Sequence, residues 1–97
     1  MFEIDLSPSA FDDIAWFPRR EREIILDAIE EQLSHQPYVE TRNRKQLRPN
    51  RVAEWELRVG KYRAFYDVTI SQRLVEVKMV GLKRGNRLLI RGQEYAL

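Results

Sequence analysis

Between Trp55 and Val68 the chain reads Trp-Glu-Leu-Arg-Val-Gly-Lys-Tyr-Arg-Ala-Phe-Tyr-Asp-Val, an order that leaves little freedom in what it can fold into. Trp55, Leu57 and Val59 alternate with polar residues before Gly60-Lys61, and Tyr62, Ala64, Tyr66 and Val68 alternate after it. A period of two, rich in aromatic and β-branched side chains, is the signature of a strand. A glycine in the first position of a two-residue connection suits a type II′ turn. The two arms therefore pair as a hairpin that sets Val59 against Tyr62, Arg58 against Arg63 and Leu57 against Ala64. Like charges directly opposite each other destabilise a sheet, so the Arg58–Arg63 pair asks for an anion. Phosphate matches the guanidinium fork best. The plainer alternative is a pair of strand-surface arginines held by Glu56, Asp67 or Glu76.

The rest of the chain reads around this hairpin. Phe2 to Leu6 alternates as a short strand. Ser7-Pro8-Ser9 marks a helix start, with Ser9 three residues before Asp12, and the helix runs to about Trp16 with Phe11, Ile14 and Ala15 as its apolar side. A second helix runs from Pro18 to about Ser34, its stripe formed by Ile25, Leu26, Ile29 and Leu33 while Glu23, Asp27, Glu30 and Glu31 face outward. Residues 36–51 form a polar connection carrying Arg42, Arg44, Lys45, Arg48 and Arg51. Ser71-Gln72 leads into a third strand, Arg73 to Gly81, whose Val75, Val77 and Met79 share the face of Trp55, Ala64 and Tyr66. A basic turn, Lys83 to Arg87, precedes a last short strand at Leu88–Ile90. A helical pair followed by an antiparallel meander predicts one α+β domain, a small antiparallel sheet with two N-terminal helices packed on one face. The opposite face, with Glu54, Glu56, Arg58, Arg63, Phe65, Asp67, Glu76 and Lys78, is expected to stay open for a ligand.

Charge divides the same way. The formal net charge is +2, yet residues 1–40 hold three basic and ten acidic side chains, a net of −7. Residues 41–97 hold fourteen basic and five acidic, a net of +9, and thirteen of the seventeen cations are arginine. A basic, β-rich half bearing aromatics points to nucleic acid or another polyanion. With no cysteine and one histidine, His35, the chain has neither disulfides nor a thiolate zinc site, and no metal or other cofactor is expected. No apolar run approaches the roughly 18 residues of a membrane span, so the cytoplasm is the expected compartment and no membrane partner is expected.

The Trp55–Val68 hairpin, followed by Val77-Lys-Met-Val-Gly-Leu-Lys-Arg-Gly-Asn86, resembles the RelE/ParE superfamily of toxins from type II toxin–antitoxin modules. Ser7-Pro-Ser-Ala-Phe11, Lys45-Gln-Leu-Arg48 and Ile90-Arg-Gly-Gln-Glu-Tyr95 carry the resemblance over nearly the whole chain. It implies a cognate antitoxin as partner. It also implies one of two targets, the ribosome with its mRNA, which RelE-type members cleave through the ribose 2′-OH, or DNA gyrase, which ParE-type members inhibit without cleavage; the remaining alternative is an attenuated member that retains antitoxin binding. By this likeness Arg63 holds the scissile phosphate, Lys83 or Arg84 supplies the second phosphate contact, and Arg58 assists. The family's two strand lysines are replaced here by Glu54 and Glu56, and the local residues in place of its tyrosine are Leu88, Leu89 and Ile90. Glu56 becomes the candidate base. Lys45, Arg48, Lys78 and Arg87 are read as RNA contacts, and Phe65 as a platform on which a base stacks.

Overall fold

The computed structural model describes residues 1–97. In chain order the elements are β1 (Glu3–Leu6), α1 (Pro8–Trp16), α2 (Arg19–Leu33), β2 (Arg44–Gln46), β3 (Trp55–Val59), β4 (Tyr62–Thr69), β5 (Leu74–Arg84), β6 (Arg87–Ile90) and β7 (Gln93–Glu94). The hairpin has the expected pairing, Val59 with Tyr62, Arg58 with Arg63 and Leu57 with Ala64. Gly60 has φ +56° while Lys61 stays at negative φ, as a type II′ turn requires. The strands lie in the order β2-β3-β4-β5-β6-β7, all antiparallel, and β1 adds to β5 in parallel. Arg44–Gln46 of the basic connection is itself a strand on β3.

Both helices pack on one face, as expected, but their buried stripes differ in part from the reading. Ser7 rather than Ser9 caps α1, its hydroxyl accepting from the Ala10 N–H with Pro8 in the first turn. That start turns Ala10, Asp13 and Ile14 inward, leaving Phe11 63% exposed. In α2 the stripe is Ile25, Ile29 and Leu33, and Leu26 lies largely in solvent. These residues meet Trp55, Leu57, Ala64, Tyr66, Val75, Val77, Val80, Leu82 and Leu89 in the main core. The Tyr66 hydroxyl, buried there, donates to the Pro37 carbonyl at 2.7 Å.

A β-bulge corrects the reading of β5. Phe65 pairs with Met79 and Tyr66 with Val77, so Lys78 has no partner on β4. The extra residue reverses the alternation. Val75 and Val77 face the helices, Val80 and Leu82 resume that face, and Met79 points to the opposite side. There it forms a second core with Ala53, Phe65 and Leu88, covered by Leu47, Val52, Ile90 and Tyr95. The face expected to be open is therefore closed over its middle by the 47–53 segment and the C-terminal strands.

β5 shares one edge between two partners. Its first half pairs with β1 and its far end with β6. Across the interval α1 supplies the partners: the Ser7 hydroxyl donates to the Lys78 carbonyl and an Asp13 oxygen accepts the Val80 N–H at 3.0 Å. Backbone groups that would otherwise be orphaned in the interior are thereby satisfied.

Candidate functional site

The uncovered part of the second face is built around the hairpin. Arg58 and Arg63 sit directly opposite each other, and Gly81 of β5 continues the row. A Cβ on Gly81 would collide with the Leu89 carbonyl, so this glycine lets β6 close against β5 beside the arginines. The carboxylate of the buried Glu56, whose side chain is 9% exposed, accepts from Arg58 Nε at 2.7 Å. With Nε committed, both Nη groups of Arg58 are free to face solvent, where its side chain is 46% exposed. Arg63 Nη1 donates to the carbonyls of Gly60 and Tyr62 at 2.7 and 2.8 Å, which leaves Nη2 and Nε without partners. Burial lowers the Arg63 pKa, an effect that Glu56 opposes and Arg58 reinforces; an arginine stays charged regardless. One carboxylate, bonded to Arg58, thus faces two arginine charges, and the surplus positive charge favours an anion.

Glu56 also lines a cleft of about 300 Å³ with Lys83, Arg87, Glu94 and Tyr95. Lys45 lies opposite Glu56 across the β2–β3 pair and so shares its face. Strand alternation decides between the two neighbouring cations at the end of β5. Leu82 and Leu89 pair on the helix side, so Arg84 shares that side and Lys83 points to the cleft. Arg87 forms an ion pair with Glu94 at 3.2 Å, both exposed, a contact of small energetic weight. Glu56, Lys83 and Arg87 thus line one cleft, and strand alternation puts Arg58, Arg63 and Lys45 on the face of Glu56 beside it. Arg84 does not line the cleft, although its direct cross-strand partner Arg87 reaches it; Arg48 lies on the exposed loop, and Lys78 lines a neighbouring cleft.

Phe65 is a correction. It is fully buried, packed with Ala53, Met79 and Leu88, and cannot stack on a base. Alternation placed it on the right face, but the segments that cover that face lie far away in sequence. The same segments bring in Tyr95, which the reading left outside the site. Its only sequence signal was membership of the Ile90–Tyr95 tail.

The main core holds the hairpin at this angle. The Tyr62 hydroxyl donates to Glu21 Oε1 at 2.6 Å, and its ring meets Phe17 edge-on with centroids 5.7 Å apart. Burial, with the hydrogen bond to Glu21, pushes the Tyr62 pKa up to about 12, and that same bond lowers Glu21.

No family model matches the sequence, and no curated protein sequence matches it. Solved structures do. A chain of the RelBE2 toxin–antitoxin complex from Mycobacterium tuberculosis superposes with a TM-score of 0.74 at 22% identity, over 84% of this chain and 91% of that one. The isolated RelE toxin of E. coli gives 0.68 at 21% identity, over 87% and 86%. A chain of the archaeal RelE–RelB complex from Pyrococcus horikoshii gives 0.67 at 15%, over 87% and 96%. The two helices, the sheet order and these superpositions together show that the chain has the RelE toxin fold.

Proposed function

We propose that this protein is the toxin of a type II toxin–antitoxin module and acts as a ribosome-dependent mRNA endonuclease restrained by a cognate antitoxin. The observation that carries the reading is the Arg58–Arg63 cross-strand pair, with the buried Glu56 carboxylate on Arg58 as its one acidic contact, on a RelE fold. RelE-containing complexes among the similar structures support the antitoxin as partner. In the reaction, the ribose 2′-oxygen attacks the adjacent phosphorus and the P–O5′ bond breaks, leaving a 2′,3′-cyclic phosphate and a 5′-hydroxyl. Glu56, whose Oε2 has no donor, takes the 2′-OH proton, and Tyr95 gives one to the departing 5′-oxygen. Arg63, Arg58 and Lys83 hold the phosphate as its charge grows, the term that weighs most in such catalysis. Lys45, Arg48 and Arg87 add sequence-independent contacts to RNA. Arg84 is left out of the phosphate contacts because it does not line the cleft.

Induction of the gene with RNA-end mapping tests the reading. The wild type should yield ribosome-bound mRNA fragments with cyclic-phosphate ends, and Arg63→Ala should lower cleavage by about 10²–10³-fold while remaining folded. An Arg63→Ala protein that inhibits growth as well as the wild type would sink the proposal, as would DNA damage with intact mRNA.

A further inference from the structure

A larger cleft, about 630 Å³, lies on the other side of Tyr95 and Glu94. Its rim carries Arg51, Lys78 and Arg91, and Met79 and Ile90 provide an apolar floor. Lys78 is the bulge residue, so the irregularity in β5 is what aims its side chain here. Arg91 is held by Asp13, 1% exposed, whose Oδ1 lies 3.0 Å from the arginine Nε. Arg91 adopts φ +48°, a left-handed conformation that an arginine adopts at some cost. The ion pair to Asp13 uses Nε, and the Arg91 side chain is half exposed.

The two carboxylates at this cleft are already committed, Asp13 to Arg91 and Glu94 to Arg87. Arg51 has no acidic partner, and the one carboxylate within ion-pair distance of Lys78 is Glu76 at 3.8 Å. A cationic rim over an apolar floor fits a nucleotide, with phosphate at the rim and base on the floor. We propose that this cleft is a second RNA subsite, holding the phosphate of a nucleotide outside the scissile pair through Arg51, Lys78 and Arg91. The subsite rests on the reading of the substrate as RNA. Because Glu94 and Tyr95 line both clefts, a single strand leaving the first passes over that shared wall into the second.

Fluorescence anisotropy of the full chain with a 2′-O-methylated, end-labelled single-stranded RNA octamer tests this, since the blocked 2′-oxygen prevents cleavage. The variant is Arg51→Ala/Lys78→Ala, whose side chains make no aligned hydrogen bond and whose folding a melting curve verifies. Octamer affinity should fall about tenfold, and the log–log salt slope should shrink by about 1.4, the value for two lost contacts to a single strand. A dinucleotide, whose single phosphodiester is the scissile one, lacks the outer phosphate and should bind the wild type and the variant alike. An octamer affinity that does not change overturns the subsite, as does a dinucleotide weakened as much as the octamer, an octamer the wild type does not bind, or a variant that loses only an acidic protein partner. The two proposals fail separately. A wild type that cleaves mRNA with no octamer effect refutes the subsite alone, whereas the octamer effect without cleavage refutes the endonuclease and leaves the subsite standing.

Discussion

Glu56–Arg58 and Asp13–Arg91 are the same device used twice. In each, a buried carboxylate takes the arginine Nε, at 2.7 Å and 3.0 Å respectively, and leaves the guanidinium on a half-exposed side chain. What differs is the carboxylate's second task. Asp13 also accepts the Val80 N–H in the interval between β1 and β6, so it belongs to the scaffold as much as to the cleft. Its contact with Arg91 is an ion pair rather than an aligned hydrogen bond, consistent with an anion oriented first by the backbone. Glu56 has only Arg58, and its other oxygen is free. Where a carboxylate carries backbone it is fixed for architecture; where it carries only a side chain it is available for chemistry.

Substitutions can break or sharpen that contrast. Asp13→Ala orphans the buried Val80 N–H, while the half-exposed Arg91 turns to water, and should cost about 1–3 kcal/mol in urea unfolding. Should it unfold no more easily than Glu56→Ala, the contrast fails. Glu56→Gln should lower cleavage by about 10²-fold or more while shifting stability by only about 1 kcal/mol, measured on the same preparation by rate and by melt. Tyr62→Phe removes the bond to Glu21 and should cost about 1 kcal/mol, since the ring contact with Phe17 survives.

The smallest effect is one of sign. Burial raises Asp13 above its ordinary 3.8, so its contribution to stability is fully present below that value and is lost as pH climbs through the folded pKa. The hydrogen bond from Tyr62 lowers Glu21 below 4.5, so its contribution is present above that value and is lost as pH falls through the folded pKa. Between about pH 6 and pH 3, the wild type should gain stability relative to Asp13→Asn and lose it relative to Glu21→Gln. Parallel trends in the two urea series would contradict these assignments.

The hairpin and its arginine pair were legible because turn and alternation are local, and local chemistry sets the register. The helix pair and the α+β arrangement followed from periodicity in the same way. Lys78 marks where legibility ended, since one extra residue in β5 reverses the period and moves Met79 to the other face. Phe65 was assigned its correct face and the wrong environment, because alternation gives direction and says nothing of what arrives from residues 47–53 or 87–95. Asp13 was hidden for a related reason. A single acid on a short amphipathic helix reads as solvated, and only the gap in a strand about 67 positions away explains its burial. The choice between Lys83 and Arg84 needed nothing beyond parity, once β5 was known to run to Arg84.

The shared edge of β5 ties the two ends of the chain to one strand. β1 and the β6–β7 ribbon dock side by side on it, so each depends on β5 for its pairing. The ends are the natural place for fraying to begin. Loss of either end uncovers a stretch of the same unpaired backbone, a template for pairing with other chains. Truncation from opposite termini should therefore give the same failure, aggregation through β5.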